Sequence, residues 1–450
     1  MTNLMWPIAD DSVRNTALDE HRSSYGTEPG LVAAAPATFP VIGEHTDSYG
    51  GVVLTGVSAR QVVVAASRRT DDLVRVRVLR TDADGRSVPV TGEVTMTQLA
   101  AHANRHQSEQ DDPDAGAACP PPPHGGGDGG DDWANRLGGV AWMMIHRQLI
   151  SRETPGFDIT VVSDIPPHCG LGGRSSAEAA FALGLADLTG HQPDAPLRAR
   201  VAEICTQAAT LFGATPPLRA RHTTALRGGT ERNLSVIDYA DGSVTHAPSP
   251  VPGGYRPYLV TVPGRITDPP DNRIPELRRR GDFIALASRT YGVPSLRLLP
   301  DSEERVIDWL ETVHEVRGAG AHPPVAEASG WMSYLTAETR RASDCAALLR
   351  SRRTTEALAR LTDSQVQTCA AFGLGSDTDA LVQLCRSRGA AAARAAHAGA
   401  SGAVIAWFPA GAEGRGAEDA ALRLADDGLL VIPLAGGRPA EVADDPDHWN

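Results

Sequence analysis

The stretch Val41-Ile42-Gly43-Glu44-His45-Thr46-Asp47-Ser48-Tyr49-Gly50-Gly51-Val52-Val53-Leu54 sets Glu44, His45 and Asp47 within four residues of one another. Phe39, Val41 and Ile42 lead into it as an apolar run, and Val52 to Leu54 leave it as another. Two adjacent glycines, Gly50 and Gly51, supply backbone angles that other residues resist, so the pattern predicts strand, polar turn, strand. Two carboxylates and an imidazole in one turn suit a polyol. Carboxylates accept hydroxyl hydrogen bonds, and imidazole donates or accepts.

The composition narrows the chemistry. The 450 residues are 41% hydrophobic but only 5% aromatic, so a sizeable core must lean on Ala, Val, Leu and Ile. A formal net charge of -13 argues against a nucleic-acid partner held through phosphates. No apolar run is long enough for a membrane span, and the N-terminus lacks a charged-then-apolar leader, so a cytoplasmic protein with no membrane partner is expected. The six cysteines show no CxxC spacing, which suggests reduced thiols rather than a zinc site or redox pair. All 42 basic residues are arginines. A chain without lysine has no Walker A lysine, no protein-kinase lysine and no Schiff base. Phosphoryl transfer here would rest on backbone amides, a helix N-terminus, arginine and a metal.

Along the chain, a short helix is predicted near Val13–Tyr25, and strands at Gln61–Ala66, Leu73–Val78 and Phe157–Ser163. Residues 106–132 are rich in Pro, Gly and Asp, and are expected to form a disordered surface insertion. Trp133–Ile150, Leu197–Phe212, Ile274–Tyr291, Glu303–Val316, Met332–Arg350 and Thr354–Phe372 have helical patterns. The strand ending at Ser163 runs into Asp164-Ile165-Pro166-Pro167-His168-Cys169-Gly170-Leu171-Gly172-Gly173-Arg174-Ser175-Ser176, followed by an Ala-rich helix to about Leu188. Strand, glycine loop, helix is the outline of a phosphate cradle, because free amides and the helix dipole both favour an anion. Gly170, Leu171, Gly172, Gly173, Arg174, Ser175 and Ser176 are therefore the candidate phosphate-binding residues. Ser176 and Glu178 are the candidate magnesium ligands.

The turn sequence GEHTDSYGG resembles the galactose-binding signature of galactokinases, in the GHMP family of small-molecule kinases. The glycine loop resembles that family's nucleotide loop, with Gly172-Gly173-Arg174 departing from its usual small residues. Arg394 to Trp407 resembles its third, glycine-rich motif, with Ala400 and Ala403 in place of two glycines. The resemblance implies an α+β, two-domain fold with the cleft between its halves, here drawn at residues 1–268 and 269–450. It implies ATP and Mg2+ as cofactors and a sugar bound by Glu44, His45 and Asp47. It also implies a catalytic aspartate near position 221 or 222 and an arginine six residues before Glu44. Those places hold Arg221, His222 and Thr38. His222, as base, and Arg221, as cation, are the candidate replacements. The basic run Arg278-Arg279-Arg280 is expected to be an exposed helix end.

Two functions follow. One is an ATP-dependent galactokinase-like enzyme making galactose 1-phosphate. The other is a catalytically degenerate sugar or nucleotide sensor on the same scaffold.

Overall fold

A computed structural model of the protein describes residues 12–81, 87–110, 130–215, 217–264, 274–318, 320, 322–372, 378–399, 401–411, 415–434 and 436–443. The fold is α+β, as expected, and is built on two sheets. Strands β1 (Leu31–Ile42), β2 (Val52–Arg68), β3 (Leu73–Thr81), β4 (Ser87–Thr95), β5 (Phe157–Ser163), β6 (Asn233–Asp238) and β7 (Ser243–Pro248) belong to the first. Strands β8 (Tyr255–Thr261), β9 (Ala392–Ala395), β10 (Ala403–Pro409) and β11 (Leu430–Pro433) form the second, in the order β11-β8-β10-β9. The last strand, β12 (Glu441–Val442), returns to pair with β1. Sheet membership thus assigns Tyr255–Thr261 to the C-terminal half and residues 441–442 to the N-terminal one. The boundary drawn at 268/269 lies outside the described residues.

β1 is buried on both faces, which its Ala- and Val-rich sequence permits. Helix α1 (Ser12–Tyr25) covers one side of the sheet, with His21 held between Thr160 and Ser67. Proline has no N–H to give a ladder, and β1 shifts register at Pro36/Ala37 and again between Pro40 and Ile42. The Ala-rich helix Gly173–Leu188 lies on β1 and β2. Small residues let it approach closely: a Cβ on Gly184 would come within 2.7 Å of the Leu31 side chain.

One sequence expectation fails at its edges. Helix α2 (Met96–Gln110) and helix α3 (Gly130–His146) occupy both ends of the supposed insertion 106–132; residues 111–129 lie outside the described residues. The start of α2 carried a legible signal in Thr95-Met96-Thr97-Gln98. Thr95 Oγ1 accepts from Gln98 N at 3.0 Å, and Gln98 Oε1 accepts from Thr95 N at 2.8 Å, which is a reciprocal capping box. Asp132 is 1% exposed. It accepts from the Ala214 amide at 3.0 Å and pairs with Arg174 at 3.3 Å. The composition of residues 106–132 is polar, but this carboxylate is a buried anchor.

Asp132→Ala removes the acceptor from a part-buried amide and the counter-ion from a guanidinium, and should cost about 2–3 kcal/mol in urea unfolding. An unchanged midpoint would return Asp132 to the solvent-exposed class.

Candidate active site

The turn between β1 and β2 folds as its glycines suggested. Gly43 and Gly50 lie at φ 92° and 88°, and His45 at φ 65°. A Cβ on Gly51 would fall 2.3 Å from Thr46 Oγ1, so only glycine fits there. Tyr49 drives the turn into the C-terminal half: it is buried in a cluster with Phe283, Leu296 and Trp331, and its hydroxyl meets Ser302 and Thr336.

Each candidate sugar ligand has a fixed partner. Asp47 Oδ2 accepts from the Arg219 amide at 2.9 Å and Oδ1 from its neighbour Ser48 at 3.1 Å. Burial raises its pKa, and the amides oppose the shift. Glu44 pairs with the buried guanidinium of Arg394, which comes from β9 across the molecule. His45 stacks on His397, with centroids 6.0 Å apart and planes 11° apart. Burial, and then Arg280, push His45 down to about 3; burial, Arg221 and His45 likewise lower His397. Both rings are neutral at pH 7.

The glycine loop closes against the same groups. Gly170 and Gly172 have φ 72° and 76°, and Gly172 caps helix α4 (Gly173–Leu188). A Cβ on Gly170 would meet Ser401 Oγ at 3.0 Å and His397 Cβ at 3.1 Å; one on Gly172 would meet Thr38 Oγ1 at 2.6 Å and Arg221 Cδ at 3.3 Å. Leu171 O accepts from the Thr38 amide at 2.9 Å. The first intrahelical bond of α4 is Ser176 N to Gly172 O, 2.9 Å. The amides before it therefore have no carbonyl within the helix, which fits an anion.

Several expected site residues point elsewhere. His222, on α6 (Arg219–Arg227), is fully buried: Nε2 lies 2.6 Å from Glu178 Oε2, and Nδ1 lies 3.1 Å from Thr206 Oγ1. With both ring nitrogens engaged beneath the helix, it is not placed to take a substrate proton. Glu178 is 1% exposed and also binds Arg136 at 2.7 Å, while Ser176 donates to Pro36 O at 2.7 Å. The pair expected to ligate magnesium is spent inside the core, and among the described residues no cluster of three or more His, Cys, Asp or Glu is placed to hold a metal. The chain does not fit magnesium at Ser176 and Glu178. Arg174 turns to Asp132 and the Trp133 ring. Arg219 turns to Glu203 and Tyr239.

Arg221 is the cation that stays at the meeting point. It is 5% exposed, its Nη1 donates to Thr38 O, and Nη2 finds no hydrogen-bond partner among the described residues. Burial pushes it down to about 10, with Glu44 opposing. The two positions where the resemblance implied arginine and aspartate are thus neighbours, but the cation now stands on the helix and the strand carries threonine. Besides Arg394 and His397, sequence reasoning missed two further participants. Arg280 is not a solvated helix end: its side chain is 11% exposed, lies over Trp331 and depresses His45. Glu338 is fully buried and accepts from Gly43 N at 3.1 Å. Helical spacing in 325–350 does not single out Glu338, because its partner Gly43 is far away in sequence.

Residues 19–68 match the galactokinase galactose-binding signature, and residues 135–215 the GHMP kinases N terminal domain. A galactokinase from Streptomyces coelicolor is 29% identical over 178 residues, covering 40% of this chain and 37% of that protein. The human galactokinase is 30% identical over 195 residues, covering 43% and 41%. The matched region thus spans about two-fifths of these curated relatives. The solved galactokinase of Lactococcus lactis, complexed with galactose, superposes with a TM-score of 0.66 at 14% identity, over 95% of this chain and 99% of that one. A mevalonate kinase from Methanococcus jannaschii superposes with a TM-score of 0.51 at 10% identity, over 92% and 98%.

The neutral imidazoles make stability depend on pH. The folded-state pKa of His45 lies below its ordinary 6.5, so the unfolded chain takes up the proton first and stability falls as pH drops through 6.5. Each such ring should cost about 1 kcal/mol between pH 7 and 5.5. His45→Asn should flatten the pH dependence of the urea midpoint by that amount; an identical slope would place His45 in water.

Proposed function

We propose, for a chain that belongs to the GHMP kinase family, the ATP-dependent phosphorylation of a galactose-like monosaccharide. The observation that carries this reading is the meeting of three distant segments at Arg221: the Glu44–Asp47 turn, the Gly170–Gly172 loop and the His397 segment. The galactose bound by the Lactococcus enzyme, whose fold this chain shares, supports a hexose as the acceptor. The signature over 19–68 supports sugar binding, and the likeness to galactokinases of Streptomyces coelicolor and human supports turnover over a binding-only protein.

The residues divide the work. Asp47 and Glu44, oriented by backbone amides and by Arg394, keep carboxylate lone pairs for sugar hydroxyls. Neutral His45 offers a donor or an acceptor according to tautomer. The loop amides at the start of α4 receive nucleotide phosphate. ATP supplies the phosphoryl group. Arg221 stabilises charge on that group but takes no proton, because a guanidinium has no acceptor. Phosphoryl transfer depends mostly on positioning and electrostatics, and a positioned base adds ~10²–10⁴ in rate. The reading therefore predicts a slow kinase.

Exchanging the two side chains tests it. Thr38→Arg with Arg221→Asp restores a carboxylate beside the acceptor hydroxyl and a cation on the strand. The double variant should raise kcat with galactose and ATP by ~10²–10⁴ over wild type. Phosphorylation of no hexose by either protein would sink the kinase reading. A wild type already as fast as an ordinary small-molecule kinase would sink the assignment of the missing base.

A further inference from the structure

We propose that Arg221 makes this site a receptor for the phosphate of a phosphorylated monosaccharide, so that the chain binds a sugar 1-phosphate in preference to the free sugar. The inference rests on the reading of the Glu44–Asp47 turn as a sugar site.

Arg221 carries a poorly balanced charge. Arg221 is 5% exposed, and its Nη2 has no hydrogen-bond partner among the described residues. Nη1 is held by the Thr38 carbonyl, with Thr38 Oγ1 at 3.4 Å, and both acceptors are neutral. The carboxylate that acts on it, Glu44, is already paired with Arg394. A buried guanidinium in this state has only a counter-ion shared with Arg394, and burying an incompletely paired charge is costly. The second observation is independent. The Arg221 side chain packs against Gly172, the residue that begins the 16-residue helix α4. The helix therefore directs its unsatisfied amides and positive dipole end to the same place. Two neutral imidazoles, His45 and His397, complete the wall without adding negative charge. A planar guanidinium with a spare edge beside a helix N-terminus is suited to a tetrahedral oxyanion.

Composition at the two key positions gives this its direction. An aspartate at 221 would repel a phosphate resting on the sugar's anomeric oxygen, and an arginine at 38 would offset that repulsion. Thr38 and Arg221 instead leave a net positive charge where the new phosphate ester lies. The same substitution that slows the forward step thus favours the phosphorylated state of the ligand. Product would be retained, and free sugar would be a poor competitor for it.

Calorimetric titration of the full chain without nucleotide, using galactose, galactose 1-phosphate and inorganic phosphate, tests this. Galactose 1-phosphate should bind at least about tenfold more tightly than galactose, the worth of one charge-assisted bond. Arg221→Gln should bring the ratio toward one, Arg221→Lys should keep part of it, and circular dichroism should show both variants folded. In the wild type, the 31P titration of bound galactose 1-phosphate should shift below the usual second pKa of about 6, a readout that needs no variant. Galactose bound as tightly as its phosphate would overturn this inference and leave the kinase reading standing. A phosphate preference that survives Arg221→Gln would place the phosphate elsewhere and overturn it too. Binding of neither sugar would sink the sugar site and this inference together.

Discussion

Two buried carboxylates and one buried guanidinium hold the functional turn in place. Glu44 on the turn and Glu338 on the helix Val325–Arg350 both face Arg394, whose pKa they raise despite burial. Glu338 also accepts from Gly43 N, from Ser364 Oγ at 2.6 Å and from Arg341 at 2.8 Å. Such groups are stable away from water only when every partner is present and well aligned. The turn's position, and the contact between the two halves, therefore depend on this set. Tyr49 adds an apolar anchor on the far side of the same turn.

A second buried set does comparable work under helix α4. Arg136, Glu178, His222 and Thr206 form a chain from α3 through α4 to α6 and α5 (Ala195–Phe212). Its members are almost wholly excluded from water. This explains how His222, a candidate catalytic replacement in sequence, has a structural duty. His222 and Arg221 are adjacent in sequence, yet the helix projects them in different directions: one into the polar chain beneath α4, the other onto the Thr38 carbonyl and the glycine loop. A helix turns by about 100° per residue, so adjacent residues do not share a face. The local sequence Arg221-His222 carries no sign of which one faces the site.

The charge pattern at the centre gives the protein its character. Two buried carboxylates, Glu44 and Asp47, stand on the β1–β2 turn. The cation that the resemblance implies on β1 is delivered instead from α6, and among the described residues no carboxylate hydrogen-bonds to it. Burial keeps His45 and His397 neutral, so neither contributes charge near pH 7.

By itself the sequence determined the elements that depend on local pattern. The strand–turn–strand unit, the strand ending at Ser163, the glycine loop and the helix after it all appear where periodicity and turn chemistry put them. Helices Ile274–Tyr291 and Thr354–Phe372 match the expected bounds residue for residue. The capping box at Thr95 was equally legible, but the polar composition beyond it drew the boundary too early. Tertiary structure decided what depends on partners distant in sequence. It buried Asp132 and Glu178, turned Ser176 inward onto Pro36, and brought Arg394 and Glu338 to the turn. It also left Arg221 as the cation at the glycine loop. The reason is physical: backbone preference and hydrophobic period act over a few residues, whereas the burial and pairing of a charge depend on what the rest of the chain places against it.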